Sequence, residues 1–505
     1  MNAWILPLLV FSPILGILIL LFVDKRQEKL IKAIGAIATL PPAFMAVFLF
    51  LQERAGVGLD SYNVGWNWFR FGNFSEMNPN LFAVRFELGI DGLSLVMLVL
   101  TTILATLSAL AAQYIKREWK GYFLLFFLLE IGMLGVFTAE NLILFFLFFE
   151  LTLVPMFFLI GKWGYAEREK AAYSFLLYNG LGSAVLLIVI MVLFAKTGTS
   201  NMEYLQQIIT QGGVTLVANI SPELKYGLLI ALVIAFGIKL PIFPLHTWML
   251  RVHVQAPPSV VMLHAGVLLK VGAYGFVRFG MGIFPEQFKG LGIYLILLGL
   301  VNLLYGAFLA LIQKDFKMVL AYSSISHMGM VLIGLGAGNE AGIQGAIFQV
   351  VSHGLIAALF FFLVNVMHER TDTTMIHDIG GLARSMPVAS GFLLAAGLAS
   401  LGLPGMSGFI SEFTVFLGLF KVQPVWGAIG ALGLIITAVY VLRAVLAITY
   451  GETRGAASKK LVDIHRFEWA PALVLMGLII AIGVYPAILS EPIDETMKIL
   501  LGIGG

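Results

Sequence analysis

Cysteine is absent from the 505 residues, and charged side chains are scarce at 12%. Without cysteine there are no disulfides, and no thiolate-held iron–sulfur cluster can belong to this chain. The same absence leaves the compartment open, because membrane helices do not rely on disulfides. Also missing are a hydrophilic stretch long enough for a second domain, a phosphate-cradling glycine loop on a strand and any nucleic-acid-binding module. The run "GLGAG" at 334–338 sits at the end of an apolar span and carries little weight. Net charge is only +3, so the placement of the charges says more than their sum.

What is abundant is apolar surface. Hydrophobic residues make up 60% of the chain, more than a soluble fold hides. Apolar runs of about 20 residues recur along the whole length, the span of a membrane-crossing helix. The runs are continuous rather than alternating, which indicates helices and not a barrel. The pattern predicts fourteen spans at roughly 4–23, 30–52, 90–112, 119–138, 141–161, 171–195, 226–249, 258–280, 290–312, 318–338, 341–367, 387–420, 424–449 and 469–490. The first has no basic start and no small-residue cleavage site, and reads as a retained helix.

The connecting loops test that count. With the N-terminus outside, the inner loops hold Lys25, Arg26 and Lys29, then Lys116, Arg117 and Lys120, then Lys162, Arg168 and Lys170. They continue with Arg251, Lys314, Lys317, Arg370, Arg384, Arg454, Lys459, Lys460 and Arg466. The outer loops are poorer, with Arg54, Arg70, Arg85, Lys196, Lys225, Lys289, Lys421 and Lys498. This alternation fits an even number of spans with both ends outside. The longest outer loop, 53–89, contains "SYNVGWNWFRFGNF" and is expected to pack as a hairpin or cap over the helices.

Two spans are broken. Span seven carries Pro241 and Pro244, and span twelve carries "LGLPGMSGFISEF" at 401–413. Proline removes a backbone donor and clashes with the preceding turn, so in lipid the freed carbonyls need partners inside the bundle. Each break is the fourth helix of a five-helix block, spans 4–8 and spans 9–13. Paired interruptions in matching halves predict an all-α integral membrane fold with two inverted five-helix repeats and a site near mid-membrane. The expected divisions are 1–118 (three helices and the outer loop), 119–280 and 290–449 (the two repeats) and 450–505 (a loop and the last helix).

Ionisable residues deep in such spans cost at least about 2.5–3.5 kcal/mol each and call for partners or water. Six stand out: Glu150, Lys239, Lys270, His327, His353 and Glu412. Glu130 is a seventh. The functional reading is a proton path along the midplane. Glu150 holds Lys239 protonated, and its withdrawal releases the proton. Lys270 is the next carrier, His327 and His353 bridge it to Glu412, and Glu412 follows the second break at a place suited to an exit. Plainer readings stand beside these. The histidines could simply bond neighbouring helices, Glu150 and Lys239 could be a static pair, Lys270 could snorkel, and Glu412 could cap a helix end. Glu130 divides evenly between a relay role and a structural one. His264 falls near the inner end of span eight, where a structural, interfacial role is the plainer reading.

Several stretches together resemble a known family. They are "LGIDGLS" (88–94), "FFELTLVPMFFLIGKWG" (148–164), "FGIKLPIFPLHTW" (236–248), "HVQAP" (253–257), "GVLLKVGAYGFVRF" (266–279), "LAYSSISHMG" (320–329) and "LPGMSGFISEF" (403–413). They are similar to the proton-translocating antiporter-like subunits of respiratory NADH:quinone oxidoreductase (complex I), over about residues 85–450. Glu412, where related subunits carry lysine, points to the M type, also called chain 4. The resemblance implies that Glu150 and Lys239 form the input pair, Lys270 is the central lysine, His327 and His353 are linkers, and Glu412 is the exit group. It implies no cofactor in this chain, with FMN and iron–sulfur clusters in partner subunits, and membrane partners on both lateral sides, homologous subunits among them. NADH and quinone would be handled by those partners, and the location would be a bacterial inner membrane. One stretch, "TWMLRVHVQAPPSVVMLHAG" (247–266), departs from the family pattern and brings Arg251 and an additional His264 to the inner mouth. A subunit of a multisubunit Mrp-type Na+/H+ antiporter or of a membrane-bound hydrogenase would share the fold, and a passive scaffold with inert buried charges is the remaining alternative.

Overall fold

The computed structural model describes residues 4–71, 82–211, 220–455 and 461–501. Lys459 and Lys460, expected in an inner loop, and part of the outer loop lie outside the described residues.

Helix dominates, as it must where no water can satisfy backbone groups. Among the described residues eleven helices are long and apolar enough to cross a membrane. A twelfth candidate is the pair Ile5–Phe11 and Pro13–Phe22, bent by 42°. The two remaining sequence-predicted spans are interrupted helices. One is Pro222–Lys239 followed by Thr247–Gln255; the other is Pro387–Ser400 followed by Ser407–Val422. The apolar runs start where a side chain can bind the free amides. Asp91, Asn141, Ser221, Asp315 and Asn339 each cap the helix that follows.

The far C-terminus differs from expectation. The last predicted span, 469–490, ends at Val484, and the chain restarts as the helix Ala487–Leu501. Pro486 enforces the stop. The new helix is polar enough to escape an apolar-run search, with Glu491, Asp494, Glu495 and Lys498. Arg54 pairs with Glu491 at 2.5 Å, and Thr496 donates to Asp91 at 3.2 Å.

The outer loop contains the expected hairpin. Val64–Arg70 pairs antiparallel with Ala83–Leu88, Val64 opposite Leu88, with a register shift between Asn67 and Phe69. Trp66 stacks on Phe86 at 4.6 Å.

Loops expected on one face do meet there. Lys116 pairs with Glu369 at 3.3 Å, Arg117 donates to the Lys162 carbonyl at 2.6 Å, and Lys120 donates to the Leu21 and Val23 carbonyls at 3.0 and 2.9 Å. This basic face is fastened by a buried cluster. Arg370, at the end of the helix Glu340–Thr371, grips both oxygens of Glu468 at 2.7 and 3.0 Å. Tyr114 also donates to Glu468.

The helix Glu340–Thr371 runs through the middle of the bundle and packs against Phe316–Ala337, Ser407–Val422 and Trp469–Val484. At the periphery the helices turn apolar side chains outward, with Leu177, Ile188, Ile435 and Val484 more than half exposed. A chain that keeps polar groups inside and apolar ones outside is built for a lipid solvent.

Candidate functional site

The first break is held open by its neighbours. Lys239 ends its helix, and the chain crosses Leu240–His246 as a series of turns before Thr247, with Leu240 and Ile242 donating back to the Phe236 and Gly237 carbonyls. Asn302, fully buried on Gly292–Ile312, accepts from the Phe243 amide at 2.7 Å and donates to the Pro241 carbonyl at 3.4 Å. Trp248 donates its indole N–H to the Ile238 carbonyl at 3.1 Å. These bonds take the place of those that the prolines remove.

Lys239 is 3% exposed. Its Nζ lies 4.7 Å from the Phe149 ring centroid and 5.7 Å from that of Phe175. Glu150 is the next residue after Phe149, yet no ion pair within 4.0 Å joins it to Lys239. Its Oε1 is buried without a hydrogen-bond partner. The expected input pair therefore stands apart, with aromatic faces rather than a carboxylate against the amine. Glu130 is fully buried on Trp119–Thr138, and neither carboxylate oxygen has a partner.

Lys270 sits between two π-helical turns, His264–Leu268 and Phe276–Met281. It is fully buried, not snorkelling. Its Nζ is 2.7 Å from His353 Nδ1 and 3.5 Å from Met328 Sδ. The His353 and His327 rings are 5.3 Å apart, tilted by 46°. His327 Nδ1 faces the Ser323 carbonyl at 2.8 Å, and its Nε2 faces the Ser400 carbonyl at 3.2 Å and Glu412 Oε1 at 3.6 Å. Both ring nitrogens thus have polar neighbours, and Ser323 Oγ also lies 3.3 Å from Nδ1. The Ser400 carbonyl is free for this contact because the helix Pro387–Ser400 stops there. Gly402 keeps the room: at φ +75° it adopts a left-handed turn, and a Cβ there would lie 2.6 Å from Glu412 Oε2. Four of the six candidates, Lys270, His353, His327 and Glu412, therefore form one file running from the eighth span to the second break.

Further polar groups of this interior lie outside the six candidates. Tyr440 donates to Ser323 Oγ at 2.8 Å behind His327. His246, at the first break, has Nε2 3.2 Å from Tyr305 Oη. Lys317, assigned to an inner loop by its position, is 4% exposed and lies 3.9 Å from the Tyr165 ring centroid. His264 is no interfacial residue: it is fully buried, and its Nδ1 is 3.0 Å from Nε2 of His253. His253 opens the motif "HVQAP", which gives no signal that it faces another ring.

At the opposite end, a cavity of about 210 Å³ is lined by Asp91, Glu140, Asn201, Glu203, Tyr274 and Arg278 among others. Arg278 bonds Asp91 directly. Burial pushes the Glu140 carboxyl up to about 7; Arg278 opposes the rise, and Glu87, Asp91 and Glu203 add to it. A carboxyl raised in the fold contributes stability at low pH that is lost as pH climbs from its ordinary value through about 7. Glu140→Gln should flatten that dependence. The check is the melting temperature of the detergent-solubilised protein between pH 5 and 8, in which wild type declines more than the variant.

The described residues contain no group of three or more His, Asp or Glu side chains able to hold a metal ion.

The chain is similar to known proteins. The family described as "NADH:quinone oxidoreductase/Mrp antiporter, TM" matches residues 139–437. NADH-quinone oxidoreductase subunit M of Rickettsia typhi is 36% identical over 489 residues, 95% of each chain. NAD(P)H-quinone oxidoreductase chain 4 2 of Thermosynechococcus vestitus is 42% identical over 82% of this chain and 78% of its own. A chain of respiratory complex I from Thermus thermophilus superposes with a TM-score of 0.86 over the whole of both chains, at 28% identity. The chain belongs to the proton-translocating, antiporter-like membrane subunits of NADH:quinone oxidoreductase, and among them to the subunit M (chain 4) type.

Proposed function

We propose that this chain carries protons across a bacterial inner membrane through a midplane relay of Glu150, Lys239, Lys270, His353, His327 and Glu412. The observation that carries the reading is the file Lys270–His353–His327–Glu412, four titratable side chains in succession through an apolar interior. The Lys270–His353 bond is short enough for one proton to pass directly. Glu412 lies 3.6 Å from His327, so a small shift makes or breaks that step. The open spacing between Glu150 and Lys239 suits an input governed by motion rather than a locked pair.

In this reading the fold has fourteen spans, with inverted repeats at 119–280 and 290–449 between flanking segments 1–118 and 450–505. The basic face is cytoplasmic and both termini lie outside. NADH oxidation, FMN, iron–sulfur clusters and quinone reduction belong to partner subunits, and this chain converts their electrostatic bias into transport. Homologous membrane subunits close the two lateral ends. Each proton moved against the potential takes roughly 2.3 kcal/mol per 100 mV.

The test uses the assembled complex in proteoliposomes. NADH should drive acidification without sodium, and Lys239→Ala or Glu150→Ala should lower it while assembly on native gels is retained. Sodium-dependent exchange without NADH would favour the Mrp-type reading. Undiminished pumping in both variants would favour the scaffold.

A further inference from the structure

The proposed relay leaves Lys239 and Lys270 without a described link to either membrane face. We infer that the His253–His264 pair is a further proton-carrying element, joining the cavity on the basic face to the two lysines; this rests on the relay reading above.

Three observations meet here. The first is the pair itself. His253 Nε2 and His264 Nδ1 are 3.0 Å apart with the rings nearly perpendicular, at 88°, and both residues are fully buried. One nitrogen of each ring is used in that contact. The other two, His253 Nδ1 and His264 Nε2, are buried with no hydrogen-bond partner. Such atoms are costly to leave unmet unless they have a transient partner.

The second observation is what lies on one side. A cavity of about 230 Å³ opens among Tyr114, Lys116, Ser259, Asn365 and His368. Pro257 and Ser259, in the connection between the two histidines, also line it. His253 comes four residues before Pro257, and His264 five after Ser259. His253 packs on Phe361 at 5.1 Å, and Asn365 stands one helical turn further along the same helix, toward the cavity.

The third is what lies on the other side. His264 packs on Phe175 at 6.1 Å, and Lys239 Nζ lies over that same ring at 5.7 Å. Trp248, 5.4 Å from His264, holds the carbonyl of Ile238 beside Lys239. Lys270 is six residues beyond His264 on the same span. The titratable groups facing the pair from this side are the two lysines and His353.

The step balances without a further reactant. A proton from the cavity binds His253 Nδ1. The hydrogen on His253 Nε2 passes to His264 Nδ1, and the hydrogen on His264 Nε2 leaves toward the lysines. One proton enters and one departs. Both rings then hold hydrogen on Nδ1 and return by turning over or by exchange before the next cycle.

His264→Asn and His253→Gln each keep a polar atom near the place of the bonded nitrogen but cannot pass a proton through. In the assembled complex, each should lower NADH-driven acidification at least about tenfold, less than the 10²–10⁴ typical of losing a positioned proton-transfer group, because water replaces part of the ring. Wild-type pumping in both variants overturns the inference. Lys270→Met separates the two readings. If it abolishes pumping while the histidine variants pump fully, the pair alone is excluded; if Lys270→Met also pumps fully, the relay itself fails. A second measurement needs no variant. In wild-type complex with nitrogen-15 histidine, the ring hydrogens of the pair should exchange with heavy water within minutes. Protection for days, as in a sealed core, overturns the inlet.

Discussion

Replacing Lys270 with methionine should slow proton passage through this chain by roughly 10²–10⁴-fold, the usual loss when a positioned proton-transfer group is removed. Methionine is unbranched and adaptable, so it refills most of the buried volume that the lysine stem occupies. What goes is the amine at 2.7 Å from His353 Nδ1. His353 then has an unmet acceptor, which costs about 1–3 kcal/mol, less than a typical fold can absorb. The complex should therefore assemble and pump poorly. Acidification of proteoliposomes, normalised to assembled complex on native gels, is the measurement. Normal pumping would remove Lys270 from the path.

The second large effect concerns stability. Glu468 is fully buried, and Arg370 is held by it through two bonds and by the carbonyls of Val462, Asp463 and Val366. Glu468 also accepts from the His465 amide at 2.5 Å. Glu468→Ala leaves the guanidinium without its counter-charge in a protein interior, a loss of roughly 3–5 kcal/mol. The result should be a marked fall in the thermal midpoint of the detergent-solubilised protein. The double variant Arg370→Leu/Glu468→Leu should recover part of it, because apolar pairs often replace buried ion pairs at little cost. A midpoint equal to wild type in Glu468→Ala would show that the cluster does not fasten the last span.

The sequence made most membrane-crossing segments legible because they are long apolar runs, several of them opened by a capping side chain. The two breaks were legible because proline and glycine stand where lipid would forbid them. Charges deep in such runs are rare enough to be noticed singly, which is how Lys270, His327, His353 and Glu412 came forward. Less visible was anything that depends on which side chains meet. Asn302 is an ordinary amide until the structure brings it to the Pro241 carbonyl and the Phe243 amide. His253 and His264 sit on separate helices, and nothing in their spacing announces a 3.0 Å contact. Lys317 looks like a loop cation because it lies near a helix start, and only packing shows it under Tyr165. The gap between Glu150 and Lys239 was hidden for the converse reason: opposite charges in facing spans suggest contact, while Phe149 occupies the place beside the amine.

The two π-helical turns around Lys270 bear on how this span is matched with those of distant relatives. A wide turn accommodates one residue beyond the ordinary helical repeat. A relative lacking one of these turns would present the residues beyond it rotated by about 100° per residue gained or lost. Counting positions along the chain would then misassign the amine's direction. Correspondence across this span is better judged from the azimuth of each side chain about the axis than from its place in the string of letters.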